Sequence, residues 1–243
     1  MNICYVYKWG RDPEDAYVRE DGSIKWRVAK LQPSDDDAAA IAAVRTLTAG
    51  GGDEVCGLTI GDGDVVWAAS RGVTQLKSAS SLQLVDDEGD MAEELAAAVR
   101  AAGDFDLVIM GDEQASAGVA GLMAAKLGLP LVAGVNDLAA GDEPGVVVGH
   151  RKSGKSIQEL RIKAPALVTV EAVEDETDVP SIKQMLAAKK TPVETLEVEA
   201  EASGRTKVES VRVPELQRAT IFEGEPAEAA EKLVAALRAD GIL

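Results

Sequence analysis

Short apolar runs alternate with alanine-rich amphipathic segments through the first half of the chain. The runs predict four strands, at "NICYVY" (2–7), "VCGLTI" (55–60), "SLQLV" (81–85) and "FDLVIMG" (105–111). Apolar residues recurring at every third or fourth position predict helices at "PSDDDAAAIAAVRTL", "DMAEELAAAVRAAG" and "ASAGVAGLMAAKLG". This strand–helix repeat predicts an α/β fold with a doubly wound, mostly parallel sheet.

The first predicted helix has the clearest start signal. Ser34 can accept a hydrogen bond from the backbone of the first turn, and Asp37 completes a capping box. The acidic residues beside them favour the positive end of the helix dipole. We therefore expect the helix to begin immediately after Ser34.

The second half of the chain changes character. We predict an added β-hairpin at 145–163 and a strand at "PALVTVEAV", which the segment "VPSIKQMLAAKKTPVETL" follows. Residues 197–217 are polar and predict an extended arm, and an amphipathic helix beginning at Pro226 follows them. These patterns predict an α/β domain over 1–190 and a C-terminal arm with a helix over 191–243.

Glycine-rich turns follow two of the predicted strands. Gly61 and Gly63 follow the second strand, and Gly111 follows the fourth. Ligands of doubly wound sheets bind beyond the carboxyl ends of the strands, where such turns let backbone approach a ligand. Val66 occupies the third glycine position of the dinucleotide fingerprint, so an ordinary NAD site is not indicated. The alternative is that these glycines only close tight turns.

"GHRKSGKS" matches the spacing of a phosphate-binding loop, from Gly149 to Gly154, Lys155 and Ser156. Such a loop must open a helix, because the helix N-terminus supplies much of the anion site. The residues after Ser156 alternate as in a strand, and Pro165 follows too soon for three helical turns. We interpret the match as a hairpin tip and keep an ATP-binding enzyme using 149–156 as the alternative.

The composition limits the classes of partner. The 243 residues include 46% hydrophobic ones and carry a formal net charge of −17. This acidity argues against nucleic acid and anionic membranes as partners. Cys4 and Cys56 lie inside apolar runs and predict reduced core thiols, which indicates a reducing compartment. Because the start has no signal-peptide pattern and no run of 18 apolar residues occurs, we expect a cytoplasmic protein.

The sequence shows no set of catalytic groups. His150 is the single histidine, it lies beside the hairpin tip, and no metal-ligand or triad spacing accompanies it. We therefore predict no metal site and no acid, base or nucleophile.

Four segments in order resemble the electron transfer flavoprotein β subunits, over nearly the whole chain. "LQPSDDDAAAIAAVRTL" is similar to the segment that opens that family's first helix, with Gln32 where asparagine is usual. "GHRKSGKSIQELRIKAPALVTVEA" resembles its hairpin and following strand. "DVPSIKQMLAAKKTPVE" resembles its signature of proline, serine and paired lysines, and the C-terminal "IFEGEPAEAAEKLVAALRADGIL" resembles its last helix.

The resemblance implies an electron carrier that pairs with an α subunit, shares FAD with it and receives electrons from an acyl-CoA-type or other flavin dehydrogenase. It also implies that the fold is of the Rossmann-like, adenine-nucleotide-binding type, with a pocket for AMP or a second FAD. The family's proline after Gly61 is missing, and so are the aspartates that the family has further along the turn after Gly111, which leaves AMP, FAD or neither open. The cofactor-binding positions it implies are Tyr7, Lys8, Gln32, Gly61, Gly63, Gly72, Gly111, Gln114 and Gly118. It implies a partner-docking loop anchored by Ile182, with Met185, Lys189 and Lys190 in the segment behind it. A stand-alone adenine-nucleotide-binding module is a further alternative.

Overall fold

The computed structural model describes residues 1–11, 16–26, 31–82, 85, 87–112, 116–173, 179–200 and 219–243. The strands are β1 Asn2–Tyr7, β2 Ala16–Val18, β3 Ile24–Trp26, β4 Glu54–Ile60, β5 Gln75–Ala79, β6 Leu107–Gly111, β7 Leu131–Val135, β8 Asp137–Ala140, β9 Val146–Ser153, β10 Ser156–Lys163, β11 Ala166–Val170 and β12 Val193–Thr195. The helices are α1 Asp35–Leu47, α2 Val65–Ser70, α3 Glu88–Ala102, α4 Ala117–Leu127, α5 Ile182–Ala188 and α6 Pro226–Ala239.

A seven-stranded parallel sheet in the order β12-β5-β4-β1-β6-β11-β7 forms the centre of the fold. Because side chains alternate along a strand, Tyr5 and Tyr7 pack in the core with α1 and α2, whereas Cys4 and Val6 pack in the core with α3 and α4. Helices therefore cover both faces of the sheet. This confirms the predicted doubly wound α/β fold.

Helix α1 begins as its sequence predicts. Ser34 is the N-cap: its hydroxyl accepts from the Asp37 backbone N–H at 3.1 Å, and the Asp37 carboxylate accepts from the Ser34 backbone N–H at 3.4 Å. Ile41, Val44 and Leu47 are buried against the sheet. The capping box and the apolar face of the sequence thus both predict the helix that the structure shows.

The predicted hairpin is present. Strands β9 and β10 pair antiparallel, and β8 joins them as a small three-stranded sheet. Ser153 faces Ser156 across a two-residue turn, in which Gly154 has φ +61° and Lys155 has negative φ. Positive φ at the first turn residue alone fits a type II′ turn, which explains the glycine at this position.

The third strand of the large sheet is not where the sequence predicts it. The prediction at 81–85 is wrong: the strand is β5, and Ser81 and Leu82 lie in the turn that follows it. Lys77 interrupts the apolar pattern of β5, so the sequence does not indicate a strand there. The fold tolerates this lysine because its ammonium donates to the Ala102 carbonyl at 2.7 Å and pairs with the Glu194 carboxylate at 3.2 Å. The backbone of β5 pairs on both sides, with β4 and β12, and this long-range pairing fixes the strand.

The start of the C-terminal segment belongs to the large sheet. Strand β12 pairs with β5 at the sheet edge, which the sequence pattern does not indicate. Leu196 and Val198 after it are buried, and the Ser81 hydroxyl donates to the Val198 carbonyl at 2.9 Å. Most of the predicted arm at 197–217 lies outside the described residues.

The chain divides into two compact units. The described residues of one unit are 1–11, 16–17 and the described part of 26–200, and those of the other are 18–25 and 219–243. Helix α6 lies in the second unit and has no buried residue. Among the described residues, no helix has the length and apolar character needed to cross a bilayer.

Candidate nucleotide and partner-docking sites

The direction of winding reverses beside β1. From β1 the chain proceeds outward to β4 and β5, and it then returns to β6 on the other side of β1. The carboxyl edge next to such a reversal is where doubly wound proteins bind ligands. Tyr7 ends β1, Gly61 follows β4 and Gly111 ends β6, so these three predicted positions lie at this edge.

An aromatic cluster occupies the edge on the α1–α2 side. The ring centroids of Tyr5 and Tyr7 are 5.3 Å apart, and Trp67 of α2 lies 5.6 Å from Tyr7. Trp9 meets Trp67 edge-on at 6.4 Å, and the Arg71 guanidinium lies 4.3 Å from the Trp67 ring centroid. This cluster therefore holds two of the chain's three tryptophans and two of its three tyrosines.

The sequence contained a signal for this cluster that the predictions missed. Tyr5, Tyr7 and Trp9 are spaced two residues apart, so they share one side of an extended segment. Trp67 comes from a helix 58 positions after Trp9 and joins them only through the tertiary fold. Trp9 and Trp67 are half-buried and form the outer layer, above the fully buried Tyr5 and Tyr7.

Three buried polar atoms in this region have no hydrogen-bond partner in the described structure: Tyr7 Oη, Trp9 Nε1 and Thr59 Oγ1. Tyr7 and Thr59 are register partners on β1 and β4, so their side chains point to the same face of the sheet. Unsatisfied buried donors and acceptors are rare, and each is costly unless a ligand or water pairs with it. The cluster therefore has the polar atoms of a binding site within an aromatic wall.

Both tyrosines stay neutral at ordinary pH. Burial raises the pKa of the Tyr5 phenol well above its usual value, and the nearby Asp37 acts in the same direction. Burial also raises the pKa of the Tyr7 phenol, with Asp64 as the next cause. Each hydroxyl is thus a hydrogen-bond donor, and Tyr5 Oη donates to the Asp37 carbonyl at 2.8 Å.

Glycine occurs at the positions beside the cluster for different structural reasons. Gly61 and Gly72 have φ of +60° and +98°, which other residues rarely adopt. A side chain at Gly63 would collide with that of Thr59, whereas the Cβ position of Gly72 is open. The turn after β4 therefore keeps its backbone close to the sheet, and Gly72 leaves open space beyond α2.

Gly111 and Gly118 pack against protein atoms. A Cβ at Gly111 would lie 2.7 Å from the Asp37 backbone nitrogen and 2.8 Å from the Asp36 carbonyl carbon, so glycine lets α1 approach β6. The Gly118 N–H donates to the Glu88 carboxylate at 3.1 Å. For these two glycines, close packing is sufficient to explain the residue.

Lys8 connects the end of β1 to the other helix layer. Its side chain is buried, and Nζ donates to the Ser116 hydroxyl at 2.9 Å, at the start of α4. Gln32 pairs through its backbone with Gly10, at 3.0 and 2.9 Å, which holds it near the end of β1. Gln114 lies outside the described residues. Contact of the nine predicted positions with a cofactor stays a prediction.

The predicted docking loop is helical in the structure, as α5, and this helix presents an apolar surface to solvent. Ile182, Met185 and Leu186 share a face of α5 and are 72%, 41% and 58% exposed, whereas Ala188 is buried. A capping box between Ser181 and Gln184 fixes the start of this helix. Lys189 and Lys190 follow it and are exposed. The docking role of these residues stays a prediction.

The segment 149–156 lacks the geometry of a phosphate-binding loop. Gly149 lies inside β9 opposite Leu138, and Ser156 begins β10 rather than a helix. No helix N-terminus therefore follows the glycines to bind an anion. His150 lies on the same sheet, with Nδ1 2.7 Å from the Asp137 carboxylate. Among the described residues, no group of three or more His, Cys, Asp or Glu side chains is placed to hold a metal ion.

The sheet, the reversal beside β1 and the ring-lined edge define a Rossmann-like α/β protein. A family model described as the electron transfer flavoprotein domain matches residues 27–201. The chain belongs to the electron transfer flavoprotein family. It is 24% identical over 255 aligned positions to the electron transfer flavoprotein subunit beta of Bacillus subtilis (strain 168), covering 99% of this chain and 98% of that relative. This membership supports an electron-transfer role with a flavin, in a carrier rather than a catalytic enzyme.

Proposed function

We propose that the chain is the β-type subunit of a heterodimeric electron transfer flavoprotein, which passes electrons from a dehydrogenase to a downstream acceptor. The observation that carries the proposal is the similarity to a β subunit over 99% of the chain. In the proposed complex, FAD shared with an α-type subunit supplies the electron-carrying chemistry. This chain would pair with the α-type subunit, bind a nucleotide and dock the dehydrogenase.

The nucleotide would bind at the carboxyl edge beside β1 and β4. Trp9 and Trp67 offer ring surfaces for stacking, and Trp9 Nε1 offers an unpaired donor. Behind them lie the unpaired hydroxyls of Tyr7 and Thr59. These groups fit AMP or the adenosine half of a second FAD, which present a planar base and several acceptors.

The subunit contact would use apolar side chains of the C-terminal region. Leu233 and Val234 of α6 are 46% and 37% exposed, and Ile242 and Leu243 after it are 68% and 70% exposed. An amphipathic helix that buries none of its own apolar residues is typical of one that packs on a partner. We infer that α6 packs on the α-type subunit.

The dehydrogenase would dock on α5. One exposed aliphatic side chain that fills a partner pocket can dominate a small transient interface, and Ile182 has that exposure. Because the capping box at Ser181 holds the helix in shape, the apolar face needs little ordering when the partner binds. This preorganisation suits rapid, repeated encounters.

Co-expression with an α-type subunit tests the proposal. We expect the two chains to purify together as a yellow complex, and the denatured complex to release one FAD per heterodimer together with AMP or a second FAD. A Leu233→Asp variant should purify without the α-type subunit, whereas Ile157→Asp, on the exposed hairpin, should still carry it. A folded chain that never associates with the α-type subunit, or a complex without flavin, would contradict the proposal.

A further inference from the structure

The two cysteines are direct neighbours in the sheet. Cys4 of β1 and Cys56 of β4 are register partners on adjacent parallel strands, and both side chains point to the α3 side. Neighbouring strands lie about 4.8 Å apart, which is within the range of Cα separations that a disulfide spans. The side chains are 0% and 3% exposed, and the two thiols are hydrogen-bonded to each other.

The two thiols have unequal surroundings. Burial raises the pKa of Cys4 well above its usual value. A hydrogen bond from Cys4 lowers the pKa of Cys56, and the Lys77 ammonium acts in the same direction against the effect of burial. Lys77 is held in place by its contacts with the Ala102 carbonyl and Glu194. The pair therefore consists of a thiol donor and a neighbour that more readily becomes a thiolate.

We propose that Cys4 and Cys56 form a redox-active dithiol that a hydroperoxide converts into an intramolecular disulfide. The Cys56 thiolate attacks the hydroxyl oxygen of the hydroperoxide and the O–O bond breaks. That oxygen stays on Cys56 as the sulfenic acid, and the other peroxide oxygen leaves as hydroxide or alkoxide. The Cys4 sulfur then attacks the Cys56 sulfur, and the sulfenic oxygen leaves with two protons as water. The dithiol loses two electrons in total, and the peroxide gains them.

The disulfide does not depend on the proposed electron-carrier function. Cys4 faces the α3 side of β1, whereas Tyr5 and Tyr7 face the aromatic cluster on the other side. Both thiols are almost fully buried, so the oxidant must be small enough to reach them, and a large reagent should not react with the folded chain.

To test the proposal, the intact folded chain is treated with hydrogen peroxide and the reaction is quenched. The free thiols are then counted after the chain is unfolded in acid. We expect both thiols of the chain to be lost, the mass to fall by two hydrogens, and a peptide joining positions 4 and 56 to appear in the digest. Dithiothreitol should restore both thiols. The parallel sample, first unfolded in urea, should form this disulfide several-fold more slowly, because the sheet no longer holds the thiols together.

Single substitutions separate the two roles. In Cys4→Ser, Cys56 should stop at the sulfenic acid and be trapped by dimedone that is present when the oxidised chain is unfolded, whereas in Cys56→Ser the remaining Cys4 should stay unmodified. The proposal is overturned if the folded wild-type chain keeps both thiols while the unfolded chain oxidises, or if the product is an intermolecular dimer. The wild-type peptide map decides the question even if a variant fails to fold.

Discussion

Tyr5 and Tyr7 stack on each other, yet only one hydroxyl is satisfied. Tyr5 Oη donates to the Asp37 carbonyl of α1 at 2.8 Å, whereas the buried Tyr7 Oη has no partner in the described structure. A buried hydroxyl without a partner costs about 1–3 kcal/mol, and a paired one contributes about 1 kcal/mol. The same residue type therefore has a structural role at one position and is available to a ligand at the other.

Two phenylalanine substitutions test this contrast. Tyr5→Phe should lower the free energy of unfolding by about 1 kcal/mol, because it removes a satisfied bond. Tyr7→Phe should leave the free energy of unfolding of the isolated chain unchanged or raise it, and should weaken AMP retention in the complex. Urea denaturation and nucleotide release check the pair. Equal destabilisation by both substitutions would show that Tyr7 Oη is already satisfied.

His150 should titrate above the usual histidine range. Its hydrogen bond with Asp137 raises its pKa, and Glu159 adds to this from 3.8 Å. Since the folded pKa is raised, the stabilising contribution is fully present below about pH 6.5 and is lost as pH rises through the folded pKa. The pair is exposed, so we expect only a small effect on stability.

NMR can follow this titration directly, because His150 is the single histidine. We expect a pKa above about 6.5 in the folded chain. Asp137→Asn should bring the pKa down by more than Glu159→Gln does, because Asp137 is the closer carboxylate. A wild-type pKa at or below the ordinary value would rule out the Asp137 contact in solution.

At the scale of elements, α1 can approach β6 closely because Gly111 has no side chain. Gly111→Ala should lower the free energy of unfolding by about 1–3 kcal/mol, because the new Cβ meets backbone atoms of α1 that cannot rotate away. Gly121→Ala in α4 is the matched control: its Cβ position is open, and alanine should raise the free energy of unfolding by about 0.5–1 kcal/mol. Urea denaturation compares the two; a stabilising Gly111→Ala would contradict the close packing.

The elements that the sequence predicted correctly are those with local signals. Helix α1 has its capping box within four residues, and the hairpin β9–β10 has its turn glycine between two alternating segments. Strand β5 was misplaced and β12 was missed, because each is fixed by pairing with a strand distant in sequence. The alternating rings of β1 were visible in the sequence, but Trp67 reaches them only through the fold.

At the scale of the whole molecule, an acidic chain carries a small region that is apolar and basic. The net charge is −17, whereas the exposed apolar face of α5 is followed by Lys189 and Lys190. A local positive patch on an acidic surface favours one orientation of an approaching partner, and salt screens that preference. The proposed docking should therefore be faster at low ionic strength if the partner surface is acidic.

Stopped-flow mixing of the flavin-containing heterodimer with a substrate-reduced acyl-CoA-type dehydrogenase tests electron transfer most directly. We predict loss of the oxidised flavin absorbance in the heterodimer, at a rate that rises with dehydrogenase concentration. Ile182→Glu should slow this second-order rate about tenfold or more, whereas Ile157→Glu, an equally exposed isoleucine on the hairpin, should leave it unchanged. A heterodimer whose flavin stays oxidised, or equal rates for the two variants, would contradict the account.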